Sequence, residues 1–305
     1  ELFLTNLYES FVKIKKKLKI KKYFCLSPIY KEKKTNQKLY KKPTLMRKYI
    51  YKILFQTDLT KNYGGVKALV NANFSMFADE HVGIVGDNGA GKSTFVRNIT
   101  GVEQPTSGKI NFDGKTVQFS SPTDAREHGI ETVYQNLALA DHLDVPANIF
   151  LGREMEFFRF GPLSWLNKKG MRQKSLELLE HTGIKIPDLT QPVASMSGGQ
   201  RQCVAISRAA SWGSKLIVMD EPTAALGIQE TKRVEDIIRR LKERGIPVII
   251  ISHNLRQVFD LVDRIFVFRQ GRIVGVLNTN EASGNDVVAM ITGIDNRVSE
   301  ETTYV

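Results

Sequence analysis

Three continuous apolar runs stand out along the chain: His81-Val82-Gly83-Ile84-Val85, Leu216-Ile217-Val218-Met219 and Pro247-Val248-Ile249-Ile250-Ile251. Short runs of this kind predict strands buried on both faces of a parallel sheet. Between the last two, Gln229 to Arg244 puts Val234, Ile237, Ile238 and Leu241 on one face. That spacing predicts an amphipathic helix, which Gly245 ends. Thr94 to Thr100 reads as a helical run stopped by Gly101, and another run leads into Ala210. Upstream, Gln56 to Lys61 and Ala68 to Phe77 read as short strands flanking the turn-rich Asn62-Tyr63-Gly64-Gly65. The fold class is α/β.

Chemistry collects where these strands end. After the first run comes Gly86-Asp87-Asn88-Gly89-Ala90-Gly91-Lys92-Ser93-Thr94, which fits the G-x-x-x-x-G-K-[ST] phosphate loop. Small residues let backbone N–H groups wrap a polyphosphate, Lys92 supplies a cation, and the Ser93 hydroxyl is a hard ligand for Mg²⁺. Strand, Gly-rich turn and helix start together form the anion site that the motif requires. The second run ends in Asp220 and Glu221. There Asp220 is placed to hold Mg²⁺ and Glu221 to polarise an attacking water. His253 follows the third run; a lone histidine is usually structural, but one at a strand's carboxyl end beside a phosphate site is better placed to reach a γ-phosphate. Ser197-Gly198-Gly199-Gln200 opens a helix with an N-cap hydroxyl and free N–H groups, a second anion site or a plain loop cap. Tyr63 beside two glycines is equally a cap on a small core and a flat face for an adenine ring.

Composition changes this picture in one place. The chain has 305 residues and a net charge of +12. Residues 1–55 hold 16 Lys/Arg against three Glu, which leaves the other 250 residues at −1. A nucleic-acid binder is therefore not expected from the charge of the body. The basic segment, residues 1–52, contains no Gly, Ala or Asp. Three readings apply to it: an arm for anionic lipid, a nucleic-acid tail, or a disordered or non-native stretch. The last is preferred, since its residues have A/T-rich codons and Met46 offers an alternative start. No run of 18 or more apolar residues occurs, and lysines interrupt any signal-peptide core. Cys25 and Cys203 are too far apart for a metal or redox motif, which suits a reduced, cytosolic setting.

In this order the motifs resemble the nucleotide-binding cassette of ABC transporters, from about Leu54 to Gly293. The resemblance implies a P-loop NTPase cassette over residues 53–293. It would have an N-terminal antiparallel β subdomain, a parallel-sheet core and an inserted helical subdomain at about 137–192; residues 294–305 would be a tail. By that likeness Gly86 to Thr94 is Walker A, and Tyr63 is the adenine-stacking aromatic. Gln135, in Val133-Tyr134-Gln135-Asn136, contacts Mg²⁺ and the permease interface. Ser197-Gly198-Gly199-Gln200 is the signature motif, Asp220 closes Walker B, Glu221 is the catalytic carboxylate and His253 the switch histidine. Met196 stands where the family usually has Leu, a volume-conserving change. Gly227 replaces a common aspartate.

Gly129 to Leu139, Asn148 to Glu154 and the Gly227 variant are similar to bacterial monosaccharide importers of the fructose or ribose type. The resemblance then implies ATP and Mg²⁺ as cofactors and a cytoplasmic, peripheral position at the membrane. Its expected partners are permease subunits, an external sugar-binding protein and a second copy of the chain. In the family two cassettes pair head to tail, with each ATP between one Walker A and the other's signature. Phe157, Phe158, Phe160 and Trp165 are either a permease contact or a local core. The alternative function is a soluble ABC ATPase acting on ribosomes or nucleic acid, favoured only by the basic segment.

Overall fold

The computed structural model describes residues 52–294, apart from 161–162, 185 and 213. The basic segment up to residue 51 and the expected C-terminal tail from 295 lie outside the described residues. The chain runs through β1 (Lys52–Tyr63), β2 (Val66–Phe77), β3 (His81–Gly86), α1 (Lys92–Ile99), β4 (Ser107–Phe112) and β5 (Lys115–Val117). There follow α2 (Pro122–Glu127), β6 (Ile130–Val133), α3 (Val145–Phe150), β7 (Glu156–Phe160), β8 (Leu163–Leu166) and α4 (Lys168–Thr182). The last third holds α5 (Gly198–Ala210), β9 (Leu216–Asp220), α6 (Ile228–Glu243), β10 (Val248–Ile251), α7 (Leu255–Leu261), β11 (Arg264–Arg269), β12 (Arg272–Asn278) and α8 (Gly284–Thr292).

Two main sheets result. One is antiparallel in the order β2-β1-β4-β5, and the other runs β12-β11-β3-β10-β9-β6. In the second sheet every described pairing is parallel except β11 with β12. The apolar runs work by alternation between two cores. From β3, β9, β10 and β11, the side chains Val82, Ile84, Leu216, Val218, Ile249, Ile251, Phe266 and Phe268 enter the core shared with the antiparallel sheet. Val85, Ile217, Met219, Val248, Ile250, Ile265 and Val267 enter the core beneath the helices. Both faces of each strand are covered, which is why the sequence shows unbroken hydrophobicity rather than a polar alternate. In the first core Phe95 of α1 packs 5.1 Å from Phe74 and 5.3 Å from Phe268, ring centre to ring centre. The helix carrying the phosphate loop is thereby wedged between the two sheets.

Two details differ from the sequence reading. β1 extends at both ends of Gln56–Lys61, and Tyr63 pairs with Val66, so the turn shrinks to Gly64-Gly65. The segment expected to be helical carries α3 and α4 but also the β7–β8 hairpin, with Phe158 opposite Trp165. Glu156-Phe157-Phe158-Arg159-Phe160 is rich in aromatics, which fit a pleated surface better than a helix turn. Phe157 (69%), Phe158 (62%) and Trp165 (72%) are largely exposed, so these three do not form a local core.

The sheets are also joined by charge. Glu80, just before β3, receives Arg264 Nε at 2.5 Å and Nη2 at 2.9 Å, and its Oε2 accepts from Phe77 N. Arg264 Nη2 also donates to Ser75 O at 2.7 Å. Next to this pair His81 is fully buried and donates from Nε2 to Ile246 O at 3.1 Å. Burial, opposed by that carbonyl, lowers its pKa from 6.5 to about 4. Between those values the unfolded chain binds a proton that the folded chain does not. This contribution is complete above about pH 6.5 and is lost as the pH falls towards 4, a span of roughly 3 kcal/mol. Urea unfolding at pH 7.5 and 4.5 should show a steeper acid loss for the wild type than for His81→Gln. Equal losses in the two proteins would remove His81 as the cause.

Candidate functional site: a phosphate loop facing two carboxylates

The site is built where β3, β9 and β10 end side by side. The turn after β3 needs glycine at both ends. Gly86 has φ 147° and Gly91 has φ 100°. A Cβ on Gly86 would lie 2.2 Å from Phe268 O, and one on Gly91 would lie 2.8 Å from Ala68 O. The loop is therefore pressed against β11 and β2, with its backbone too close to both for any side chain. Gly271, in the β11–β12 turn, braces it by donating to Ala90 O at 3.0 Å and accepting from Val70 N at 2.8 Å. Asp87, Asn88 and Gly89 are exposed at the tip while Ala90 is buried.

Lys92 opens α1 and folds back over the loop, donating to Gly86 O at 2.6 Å and Asp87 O at 2.8 Å. Desolvation lowers its pKa, opposed by Glu221, Asp87 and Asp220. Ser93 is exposed and Thr94 half-buried on the same first turn. At the end of β9, burial and then the neighbouring Glu221 raise the pKa of Asp220, with Lys92 and Arg97 acting the other way. Glu221 is held in a left-handed backbone conformation, φ 51°, by its N–H donating to Ile251 O at 2.9 Å. Such a conformation costs a non-glycine residue about 1–3 kcal/mol and persists only when its surroundings fix it. The turn aims the carboxylate across to β10, where Oε1 lies 2.8 Å from His253 Nδ1. His253 is 78% exposed and Glu221 16%. Lys92, Asp220, Glu221 and His253 are thus gathered within one electrostatic neighbourhood.

The other predicted residues lie around this centre. Gln135 is exposed on the turn directly after β6. Tyr63 ends β1, and its hydroxyl donates to Glu103. Ser197 caps α5: its Oγ accepts from Gln200 N at 3.2 Å, while Gln200 Oε1 accepts from Ser197 N at 2.9 Å. Gly198 is exposed and Gly199 buried, where a Cβ would meet Glu230 Cγ at 2.3 Å. This turn therefore packs on α6, and Ser197 and Gln200 bond each other within it. Met196 fills the buried position before it.

Sequence reasoning missed two residues here. Arg208, on α5, donates to Leu137 O at 3.0 Å and to Ala138 O at 2.7 Å. Both acceptors have positive φ, 59° and 46°. The fork holds the strained turn after Gln135 against the signature helix. Glu103, which holds Tyr63, is the other. No local spacing announces either contact, since each joins segments 40 or more positions apart.

Comparison with known proteins is consistent with this geometry. The profile of the ABC transporter family matches residues 69–224. A fructose import ATP-binding protein of Rhizobium meliloti is 44% identical over 249 residues, covering 79% of this chain and 94% of the relative. A xylose/arabinose import ATP-binding protein of Sulfolobus acidocaldarius is 43% identical, covering 77% and 92%. Among solved structures, a nucleotide-free ATP-binding cassette from an ABC transporter superposes with a TM-score of 0.68 at 27% identity, covering 79% of this chain and 98% of that one. A phosphate loop opposed by two carboxylates and a histidine, on a backbone shared with such cassettes and a sequence shared with such subunits, leads to one conclusion: the chain belongs to the ABC transporter family.

Proposed function

We propose that this chain is the ATP-binding and ATP-hydrolysing subunit of a monosaccharide importer of the fructose or ribose type, peripheral to the cytoplasmic face of the membrane. The observation that carries the chemistry is the Glu221–His253 contact at 2.8 Å beside Asp220 and the half-buried Lys92. The sugar class rests on the fructose and xylose/arabinose import relatives.

ATP phosphates fit the Gly86–Thr94 turn, where Lys92 would exchange its two backbone carbonyls for phosphate oxygens. The Mg²⁺ that accompanies ATP would be held by Ser93, Asp220 and Gln135. One observation fits a hard cation carried by phosphate: the donors of all three side chains, a hydroxyl, a carboxylate and an amide carbonyl, are oxygens. When bound, Mg²⁺ offsets the charge of the β- and γ-phosphate oxygens. Glu221 accepts a hydrogen bond from the attacking water and aligns it with the γ-phosphorus. His253 fixes the orientation of Glu221 and reaches the same phosphate. Tyr63 stacks on adenine. Ser197, Gly198, Gly199 and Gln200 complete the site of a second copy, so that ATP closes a homodimer and hydrolysis opens it.

Among the described residues no helix is long and apolar enough to cross a membrane. The likeness to import ATP-binding proteins supports membrane permease subunits as the partners. The exposed Phe157, Phe158 and Trp165 on the β7–β8 hairpin are the apolar surface best suited to them. An external sugar-binding protein would act through the permease without touching this chain.

The test is capture of the chain from its native membranes in mild detergent, followed by mass spectrometry. A polytopic permease is expected to come with it, and Phe157→Ser/Trp165→Ser should lose that permease while keeping ATP binding. Recovery of ribosomal proteins or nucleic acid in its place would overturn the importer reading.

A further inference from the structure

Tyr63 is not simply an exposed ring at a strand end. Its hydroxyl donates to Glu103 Oε2, and the other oxygen of that carboxylate receives Arg97 Nη1 at 3.3 Å. Arg97 lies on α1, one turn beyond Lys92, Ser93 and Thr94. The loop that follows α1 is closed onto the same helix, since Glu103 N donates to Arg97 O at 3.1 Å. A second cation completes the arrangement. Lys61 Nζ lies 4.0 Å from Glu103 Oε2, donates to Gln104 O at 2.7 Å, and stands 5.3 Å from the centre of the Tyr63 ring.

The cluster is partly withdrawn from solvent: the Glu103 side chain is 21% exposed and that of Lys61 17%. Tyr63 itself keeps 41% of its surface open. One ring face is thus occupied by an ammonium group, a favourable cation–π placement. The hydroxyl is fixed at the edge by Glu103, with Thr94 and Arg97 of α1 also in hydrogen-bonding reach, and free area remains for a ligand. Desolvation, and then the hydrogen bond to Glu103, raise the Tyr63 pKa, so its hydroxyl remains a donor at neutral pH.

We infer that Glu103 is a positioning residue for nucleotide binding: it tethers the Tyr63 ring to the phosphate-loop helix and so fixes the gap between the base platform and the phosphate site. The inference rests on the proposed role of Tyr63 as that platform. Its physical content is preorganisation. A ring held in place before the base arrives loses no rotamer freedom when the base stacks. The tether is anchored to α1 through Arg97, so platform and phosphate loop move together. A nucleotide whose base and phosphates must be gripped at once gains from a fixed separation. A ligand made only of phosphate gains nothing.

That difference supplies the test. Mg-ATP and Mg-tripolyphosphate are titrated against wild type, Glu103→Ala, Tyr63→Phe, the double variant and Tyr63→Ala, with steady-state ATPase kinetics alongside. Alanine leaves no acceptor for the hydroxyl, whereas glutamine would keep one. Glu103→Ala and Tyr63→Phe should each weaken ATP binding roughly threefold to tenfold, the range expected for freeing one ordered side chain. Tripolyphosphate binding should not change. KM should rise while kcat at saturating ATP stays within about twofold. The double variant should be no weaker than Tyr63→Phe alone, because loss of the hydroxyl already cuts the bond to Glu103. Equal weakening of ATP and tripolyphosphate by Glu103→Ala would show a general disturbance of α1 and overturn the inference. So would a Tyr63→Ala loss of ATP binding unaccompanied by any loss in Glu103→Ala. Unchanged ATP binding in Tyr63→Ala would overturn the platform reading itself, and the inference with it.

Discussion

Glu221→Gln is expected to lower ATP turnover by about a hundredfold to a thousandfold while ATP affinity stays within about threefold of wild type. The amide keeps the size of the carboxylate and can still meet His253 Nδ1. It loses the negative charge and the second strong acceptor that a water needs when it loses hydrogen-bonding freedom on the way to the γ-phosphorus. An interaction made only in the transition state reduces kcat and kcat/KM together. Single-turnover hydrolysis and equilibrium ATP binding separate the two quantities. The ATP-bound variant should also persist as a dimer in gel filtration, because closure no longer ends in hydrolysis. Native turnover in Glu221→Gln would remove the residue from the chemistry. Lys92→Ala provides the contrast, with ATP affinity as the quantity lost.

Glu80→Ala is expected to destabilise the fold by about 3–5 kcal/mol, the usual cost of leaving one partner of a buried ion pair alone. The guanidinium of Arg264 is gripped at two nitrogens by Glu80 and also bound to Ser75 O. The side chains are only 15% and 4% exposed for Arg264 and Glu80, so water does not replace the lost carboxylate. Joint replacement, Glu80→Met with Arg264→Met, should recover much of the loss, since desolvation of both charges disappears together. Urea unfolding midpoints measure both effects. A loss below about 1 kcal/mol in Glu80→Ala would place the pair in the class of screened surface bridges.

Much of the core was legible in the sequence because its rules are local. The runs at β3, β9 and β10 signal cover on both faces, and the Val234, Ile237, Ile238 and Leu241 face of α6 is buried as its spacing predicts. The phosphate loop is equally readable, because its glycines answer to contacts within a single turn and its immediate neighbours. What stayed hidden depends on distant partners. The Tyr63–Glu103 and Arg208–Ala138 bonds join positions that no periodicity relates. The left-handed backbone of Glu221 was not visible either, for it is imposed by Ile251 on the adjacent strand. The β7–β8 hairpin was missed because two short aromatic segments between helices show neither clean period.

Strand order has a consequence for the chain as it is made. The strand that carries the phosphate loop, β3, has β10 and β11 as its only neighbours in the sheet order, and both come from residues 248–269. A ribosome that has released residues 1–240 has therefore delivered Lys92, Asp220 and Glu221 but nothing to hydrogen-bond β3 on either side. Such parallel, long-range pairings close late, after the loop entropy between them has been spent. ATP can act as a ligand for folding only once the C-terminal third has emerged, and a chain truncated before β10 would expose an apolar strand with two open edges. Premature termination should thus yield material for degradation rather than a partial ATPase.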